Sequence, residues 1–398
     1  MRSLLQQFDV QFRYPIHFTS NLFAENNPLL ADVVAGAAGD LPTAVLFIVD
    51  QGVQRCNPSL LTSIERYCSG FSAVLSSAGP ALLLPGGEEV KNDLRYVDAI
   101  HREIDAAALC RHSFVVGVGG GALLDAVGFA TSGAHRGIRL IRVPTTVLAQ
   151  NDSAIGVKNG VNLFGKKNWL GSFTPPYAVL NDSQFLRTLS DRDWCAGIAE
   201  AVKIALVKDA DFFDFIEAQA PALAQRNGAA MDELIYRCAR HHMDHIADNG
   251  DPFEQSSSRP LDFGHWSAHK LEQLTDFRLR HGEAVAIGIA LDTTYSWLSG
   301  LLDESVWQRV LTTLTRVGFR LFAPELTQRV SGPDSPLQLI CGLDEFQQHL
   351  GGRLTVTLLL DVGRGVDVHA MDQRRIEQCV ALLEAADTHS EATRSRTG

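Results

Sequence analysis

The pattern of apolar and polar residues differs between the two halves of the chain. In the first half, short apolar runs of strand length at 44–49, 113–118 and 137–143 alternate with helical stretches. Apolar strands that alternate with helices favour a parallel sheet covered on both faces. The first half is therefore predicted to form a Rossmann-like α/β domain.

From about residue 185 the apolar positions recur with helical spacing. Only residues 354–360 resemble a strand in this half, and the segments with helical periodicity are 196–218, 229–247, 264–275, 281–299 and 304–317. This pattern predicts an α/β domain over residues 1–186 and a mostly α-helical domain over 187–387. The polar residues 388–398 are predicted to be a disordered tail.

Composition excludes several classes of protein. The 398 residues carry a formal net charge of −11, which argues against a nucleic-acid or anionic-membrane partner. No apolar run approaches the roughly 20 residues of a spanning helix, and the N-terminus lacks the features of a signal peptide. Seven cysteines without paired spacing suit a reducing compartment, so a cytoplasmic protein is expected.

Four residues form a candidate metal site. Glu200 lies in a helical segment, His265 and His269 stand one helical turn apart, and His281 begins another segment of helical periodicity. Two neutral imidazoles and one carboxylate are the usual ligands of a catalytic zinc ion, with a fourth position open to substrate. The chain is therefore predicted to be a metal-dependent enzyme.

A glycine-rich loop follows the apolar run at 113–118. Gly119, Gly120 and Gly121 would let the backbone approach a pyrophosphate, and the helix after them offers free amide groups. Asp50 ends the run at 44–49, where its carboxylate could accept a hydrogen bond from a ribose hydroxyl and disfavour a 2′-phosphate. NAD is therefore expected rather than NADP. The order is unusual, because this acid precedes the glycine loop.

Taken together, the motifs resemble the sugar phosphate cyclases, the superfamily of 3-dehydroquinate synthase. The resemblance extends from Asp50 to about Gly363. It rests on 85–91 (PGGEEVK), 119–125 (GGGALLD), 136–146 (RGIRLIRVPTT), 151–158 (NDSAIGVK), 165–168 (GKKN), 182–189 (DSQFLRTL), 197–203 (GIAEAVK), 262–269 (DFGHWSAH) and 281–283 (HGE).

The resemblance implies a homodimer that holds one NAD without net consumption and one zinc or cobalt ion. It also implies the reaction, in which a sugar phosphate is oxidised transiently, loses phosphate, is reduced again and closes to a carbocycle by an intramolecular aldol step. The implied metal ligands are Glu200, His265 and His281. His269 is implied to handle protons beside the ion.

The remaining implied roles fall into three groups. Catalytic roles fall on Asp152, Lys158 and Lys203. Substrate contacts fall on Arg136 (across the dimer), Lys167, Asn168, Asp262 and Arg259. Cofactor contacts fall on Asp50, Glu88, Lys91, Gly119, Gly120, Gly121, Asp125, Thr145, Thr146, Phe185, Thr188 and Leu189. Lysines and an asparagine suit a phosphate dianion, which needs several fixed donors.

The chain departs from 3-dehydroquinate synthase where that enzyme meets the carboxylate of its substrate. Without gaps, its lysine and arginine fall on Asp244 and Ser258, although Arg259 is adjacent, and its asparagine is Asp262. These changes make the region less suited to an anion. We therefore expect a substrate without a carboxylate, such as sedoheptulose 7-phosphate, as in the cyclitol-forming relatives. Those relatives often lack the histidine that this chain keeps as His269.

Other functions remain open from the sequence. The chain could be 3-dehydroquinate synthase itself, a metal-dependent polyol dehydrogenase of the same architecture, or an idle homologue that acts as a binding subunit. His241 and His245 could chelate a second ion, but no third ligand follows at a recognisable spacing. The histidines at 241, 242 and 245 are therefore interpreted as an exposed or substrate-adjacent helix face.

Overall fold

The computed structural model describes residues 2–37, 39, 42–248, 251–253 and 260–397. The chain divides into two compact units: a first unit of residues 1–145 and 154–188, and a second unit of residues 146–153 and 189–398. The predicted boundary at 186 falls two residues before the observed one at 188. The sequence did not predict that residues 146–153 belong to the second unit, because no change in composition marks this segment.

The first unit is built around a parallel sheet of seven strands in the order β1-β9-β6-β5-β2-β3, with β4 also paired to β2. The three predicted strands correspond to β2, β5 and β6. The sheet strands are β1 (Ile16–Thr19), β2 (Thr43–Asp50), β3 (Leu75–Ser77), β4 (Leu82–Leu84), β5 (Phe114–Gly119), β6 (Arg139–Pro144) and β9 (Ala178–Asp182).

Both faces of this sheet are covered, which explains why its strands are continuously apolar. In β2, Val45, Phe47 and Val49 belong to one buried cluster. The intervening residues Leu46 and Ile48 belong to the buried cluster on the other face. Successive side chains of a strand point to opposite faces, so a strand between two helical layers needs apolar residues at every position.

In the described part of the first unit, the other main elements are five α-helices and an antiparallel hairpin, β7 paired with β8. They are α1 (Leu29–Ala35), α2 (Gln51–Cys56), α3 (Leu60–Gly70), α4 (Leu94–Ala106), α5 (Gly121–Gly133), β7 (Lys158–Leu163) and β8 (Lys166–Phe173). The long helix α5 starts at the glycine loop, directly after β5. The predicted α/β fold of this half is confirmed.

The second unit is mostly helical over its described residues, which include a hairpin of β10 paired with β11. Its elements are α6 (Asp191–Ala196), α7 (Ile198–Lys208), α8 (Ala210–Ala224), α9 (Gly228–Asp248), α10 (His265–Leu274), α11 (His281–Leu298), α12 (Glu304–Val317), α13 (Cys341–His349), β10 (Val356–Asp361), β11 (Arg364–Val368) and α14 (Gln373–Thr397).

Two expectations for this half differ from the structure. The single helix predicted over 196–218 is broken at Gly197 and at Asp209, whose side chain caps α8 by accepting from the Phe212 amide. The tail predicted to be disordered from residue 388 continues α14 to Thr397. Within the described residues, no helix has the length and apolar character that crossing a bilayer requires.

A buried arginine holds part of the first unit together. Arg142 in β6 has no solvent exposure. Its guanidinium donates to the carbonyls of Ala154 and Gly156 at 2.9 and 2.7 Å, to that of Lys158 at 3.2 Å, and to Asn159 Oδ1 at 2.6 Å. Burial lowers the pKa of this guanidinium, with Asp125 and Tyr14 opposing the shift. One side chain thereby fixes the segment that enters β7.

Replacing this arginine should destabilise the protein strongly. Arg142→Met keeps the aliphatic volume but leaves three buried acceptors and one partly buried acceptor without their donor. Each buried loss costs about 1–3 kcal/mol. We expect the free energy of unfolding in urea to fall by at least about 3 kcal/mol. Arg102→Met, at a side chain that is 77% exposed, is the control and should change it by less than about 0.5 kcal/mol. Equal unfolding midpoints for the two variants would contradict this account.

Candidate metal and nucleotide sites

The second unit carries a charge inside a helix that is buried along almost its whole length. Residues 198–207 of α7 are all buried, and Glu200 has no solvent exposure. A buried carboxylate is costly unless other groups compensate its charge. Burial raises the pKa of Glu200, but the positive charge of Lys203 and the contacts with His265 together outweigh this effect. The pKa of Glu200 therefore lies well below its usual range. Glu200 is therefore ionised.

Two histidines face this carboxylate, and each is the first residue of its helix. The Nε2 atoms of His265 and His281 lie 3.5 and 3.3 Å from Glu200 Oε1. The three side chains each offer a ligand atom, and these atoms lie within 4.8 Å of one another. Ligands bound to zinc at about 2.0–2.1 Å in a tetrahedron stand about 3.3–3.4 Å apart. The donor set and its spacing thus fit a zinc-type ion.

Local contacts orient His265. Its Nδ1 lies 3.1 Å from the carbonyl oxygen of Phe263. Because a carbonyl can only accept a hydrogen bond, Nδ1 is the donor and Nε2 is left to face Glu200. The preceding residue, Gly264, has φ +77°, and a Cβ there would lie 2.8 Å from the Ile289 amide nitrogen. A glycine is therefore needed where α10 begins against α11.

A buried carboxylate clamps the start of α10 and was missed by the sequence analysis. Asp292 in α11 accepts from the Gly264 amide at 3.0 Å and from Trp266 Nε1 at 2.8 Å, on either side of His265. Burial raises the pKa of Asp292 to about 7, and the two hydrogen bonds oppose that shift. The available signal was a single acidic residue inside the otherwise uncharged segment 284–296, which is buried throughout.

Lys203 and Asp152 extend the charged cluster. The ammonium of Lys203 contacts Glu200 Oε2 one turn away on α7, and its side chain is 4% exposed. Burial lowers the pKa of Lys203, but the charges of Glu200 and Asp152, with a smaller contribution from Asp262, outweigh this effect and raise it. The lysine therefore stays protonated. Burial and Glu200 raise the pKa of Asp152, but His242 and Lys203 outweigh them and lower it. Both groups are therefore charged.

The histidines of α9 do not form a metal site of their own among the described residues. His242 Nδ1 lies 2.9 Å from Asp152, whereas His241 Nε2 lies 2.7 Å from Asp209 and its ring stacks on Phe212. The two neighbouring histidines thus serve different carboxylates, and only His242 belongs to the charged cluster.

Asp244 and His242 lie on different sides of α9. The side chain of Asp244 is 57% exposed and lies 3.8 Å from Arg240, whereas that of His242 is 15% exposed and lies beside Asp152. Residues two apart on a helix point about 200° away from each other, which explains the different settings of these two side chains. Ser258 and Arg259, the positions compared together with Asp244, lie outside the described residues.

His269 lies against both histidines that face Glu200. Its ring is perpendicular to that of His265 at 5.4 Å between centroids and nearly parallel to that of His281 at 6.0 Å. This placement follows from the four-residue spacing along α10, which returns a side chain to the same face.

In the first unit, the predicted nucleotide residues gather where strands of the sheet end. Asp50 ends β2, and its Oδ1 accepts from the Gly52 and Val53 amides at 2.6 and 3.3 Å. Its Oδ2 faces Gly86, where a Cβ would lie only 2.1 Å away. Gly119 ends the neighbouring strand β5, and Gly120 caps α5. Such an edge, with the amides of a helix start beside a carboxylate, suits a dinucleotide.

Several predicted cofactor and phosphate residues form one polar network in the first unit. Lys91 is 4% exposed, and its ammonium bonds to Asp125 Oδ2 at 2.7 Å and to Asn168 Oδ1. Asn162 accepts from the Asn168 amide and donates to Glu88 at 3.0 Å. Lys167 Nζ lies 3.5 Å from Glu88. The structure therefore joins the 85–91 and 165–168 motifs, which the sequence analysis assigned to different ligands.

The other predicted residues lie in varied settings. Thr145 is buried and its amide donates to the Gly119 carbonyl at 3.0 Å, beside the glycine loop. The Phe185 ring belongs to a hydrophobic core cluster, so only its backbone remains for polar contacts. The Thr146 hydroxyl accepts from the Ala149 amide, and the Thr188 hydroxyl donates to the Phe185 carbonyl. The Leu189 carbonyl accepts from the Arg226 guanidinium. Arg136 and Lys158 are exposed.

The fold and these sites define an α/β unit with a nucleotide-type edge, followed by a helical unit with a candidate metal centre. The family model of the 3-dehydroquinate synthase N-terminal domain matches residues 81–196, and that of the C-terminal domain matches residues 197–331. The chain belongs to the 3-dehydroquinate synthase family of sugar phosphate cyclases.

Individual relatives agree with this assignment. The chain is 32% identical to the 2-epi-5-epi-valiolone synthase of Streptomyces glaucescens, over 94% of this chain and 91% of that one. It is similar in structure to ValA, the 2-epi-5-epi-valiolone synthase of Streptomyces hygroscopicus subsp. jinggangensis 5008 with NAD⁺ and Zn²⁺ bound. That match has a TM-score of 0.84 and 28% identity, and it covers 96% of this chain and 100% of ValA.

A third relative is more distant. This is a 2-deoxy-scyllo-inosose synthase complexed with carbaglucose-6-phosphate, NAD⁺ and Co²⁺, with a TM-score of 0.72 and 25% identity over 90% of this chain and 91% of that one.

Removing the clamp on α10 should destabilise the second unit. Asp292→Ala leaves the Trp266 and Gly264 N–H groups buried without an acceptor, which costs about 2–5 kcal/mol in the free energy of unfolding. Asp303→Ala, at an exposed residue before α12 that makes no side-chain capping bond, is the control. Urea unfolding of metal-free protein measures both, and a similar midpoint for the two variants would contradict the clamp.

The same carboxyl gives a pH dependence with a defined sign. Because the folded-state pKa of Asp292 is raised to about 7, the native state holds its proton more tightly than the unfolded chain. Its contribution to stability is therefore largest below the unfolded pKa and is lost as the pH rises through about 7. The difference in unfolding free energy between the wild-type protein and Asp292→Ala should be larger at about pH 5 than at about pH 8. A difference that grows with pH would refute this sign.

Proposed function

We propose that this protein is an NAD- and divalent-metal-dependent cyclase that converts a heptulose phosphate without a carboxylate, such as sedoheptulose 7-phosphate, to a carbocycle. The observation that carries the proposal is the cluster of Glu200, His265 and His281, in which Glu200 and His265 are buried and the Lys203 ammonium contacts the same carboxylate, in a chain of this family. A lysine beside the metal ligands suits a substrate that bears a phosphate.

Glu200, His265 and His281 would hold the ion. A divalent ion there would act as a Lewis acid on a substrate oxygen, and bound NAD would accept a hydride and return it. The ValA structure contains NAD⁺ and Zn²⁺, which supports both cofactors. The roles of the protein groups follow from their charge: Lys203, held as a cation, binds an anionic oxygen, and the ionised Asp152 keeps His242 in place.

The other roles rest on the resemblance. Lys158, Lys167, Asn168 and Arg136 are proposed to bind the phosphate, with Arg136 supplied by a second copy of the chain. The exposure of Arg136 is compatible with that role. Asp50 and the glycines 119–121 are proposed to hold NAD, and His269 to move a proton beside the metal. A cytoplasmic homodimer remains part of the proposal.

Electrostatics in the second unit favour a substrate without a carboxylate. Asp152 and Asp262 both contribute negative charge that raises the pKa of Lys203. A further carboxylate brought to these groups would meet like charges, which disfavours binding.

The direct test compares substrates with and without a carboxylate. Metal-loaded protein with NAD is incubated with sedoheptulose 7-phosphate or with a heptulosonate phosphate, and inorganic phosphate and carbocyclic product are measured. We expect both products from the first substrate only. Glu200→Ala should lose bound metal and turnover together, and full retained activity would refute the metal assignment.

Two alternatives give different outcomes in the same assay. Phosphate release from the heptulosonate phosphate alone would identify 3-dehydroquinate synthase, the activity for which the family models are named. The retained His269 is the feature that favours this alternative. Steady accumulation of NADH with a polyol, without phosphate release, would identify a dehydrogenase.

Asp262 should contribute to the discrimination between the two substrates. Asp262→Asn removes one negative charge beside Lys203, so kcat/KM for the heptulosonate phosphate should rise about tenfold relative to that for sedoheptulose 7-phosphate, equivalent to about 1.4 kcal/mol. Asp244→Asn, at the exposed position on α9, is the matched control and should leave the ratio unchanged. A ratio that moves equally in both variants would refute a local role for Asp262.

A further inference from the structure

A second buried carboxylate lies behind one of the proposed metal ligands. Glu272 is only 2% exposed and lies on α10, seven residues after His265, so both side chains lie on one face of the helix. Its Oε2 lies 3.3 Å from His281 Nδ1. The other ring nitrogen of His281 lies 3.3 Å from Glu200 Oε1. The His281 ring is therefore held between two carboxylates, one at each nitrogen.

The two proposed metal histidines have matching surroundings. For His265, a backbone carbonyl lies at Nδ1 and Glu200 lies at Nε2. For His281, the Glu272 carboxylate takes the place of that carbonyl. A histidine that binds a metal through one nitrogen usually donates from the other to a carbonyl or carboxylate, which fixes the tautomer and the ring orientation. A carboxylate also makes the imidazole a stronger electron donor than a carbonyl does.

We propose that Glu272 is a positioning residue for the metal centre: it accepts the Nδ1–H of His281, so that Nε2 presents its lone pair to the ion held with Glu200 and His265. Glu272 acts through His281 and does not itself bind the ion. This inference rests on the proposed metal ligands, and it gives a role to a carboxylate at a buried position where an apolar side chain would pack at lower cost.

The structure also defines the competing arrangement. His269, Glu272 and His281 offer ligand atoms within 4.8 Å of one another and could hold an ion themselves. His281 Nδ1 cannot both donate a hydrogen bond to Glu272 and bind an ion. The two arrangements therefore predict different numbers of bound ions and different effects of removing His269.

The test measures metal binding rather than turnover, in protein free of NAD and substrate. Zn²⁺ affinity is determined by competition with a chromophoric chelator, and the visible absorption of Co²⁺-loaded protein reports the ligand geometry. Glu272→Ala should weaken Zn²⁺ binding about 10- to 100-fold and change the cobalt spectrum. Glu272→Gln, which keeps the size and an acceptor oxygen but loses the charge, should weaken binding less than Glu272→Ala does. Gln273→Ala, at an exposed neighbour on α10, should change neither.

Three further measurements make the outcomes distinct. Glu200→Ala and His281→Ala test the proposed ligand set, and unchanged metal binding in both would refute that set, whatever Glu272 does. If both lose the metal while Glu272→Ala and Glu272→Gln keep wild-type affinity and spectrum, the role of Glu272 is overturned. Two equivalents of Zn²⁺ in the wild type, with one lost in His269→Ala and in Glu272→Gln, would overturn it in favour of a second ion. Urea unfolding of the metal-free Glu272→Gln protein verifies that this near-isosteric variant is folded.

Discussion

The packing of the second unit depends on a buried charge: Glu200 is ionised and has no solvent exposure. A carboxylate in that position requires compensation within a few ångströms, because the interior screens charge far less than water does. Lys203 supplies a fixed positive charge from the same helix, and His265 and His281 approach the other oxygen. The starts of α10 and α11 must therefore lie beside α7. The remaining packing of these helices has to satisfy that requirement.

The histidines are held by their surroundings rather than by Glu200 alone. Gly264 permits the close approach of α10 to α11, and Asp292 fixes the backbone and the indole on either side of His265. A carboxylate inside an apolar helix is destabilising by itself, which the raised pKa of Asp292 reflects. Its two hydrogen bonds offset that cost and fix the ring position at the same time. Such preorganisation lowers the reorganisation required when an ion binds.

The sequence predicted the elements with strong periodicity and the residues within compact motifs. The continuous apolar runs identified β2, β5 and β6, and the three helices that carry Glu200, His265 and His281 were recognised, because local patterns determine both. The break at Gly197 and the role of Asp292 depend on contacts between segments distant in sequence, which no local pattern records. The settings of His242 and Asp244 also depend on such contacts: the two residues face opposite sides of one helix, and His242 is the one that lies beside Asp152.

The charges of the second unit bear on the substrate once an ion is considered. Among the described residues, Asp152, Glu200, Asp262 and Glu272 bring four negative charges to this cluster. Lys203 and a divalent ion would bring three positive charges. On this count the cluster would carry no net positive charge before a substrate arrives, so an anionic group would bind there only through direct contact with Lys203 or the ion. A hydroxyl would need no such charge, because it could bind a divalent ion as a neutral ligand. The charges around Glu200 thus support the proposed substrate, in which the phosphate is the only anionic group.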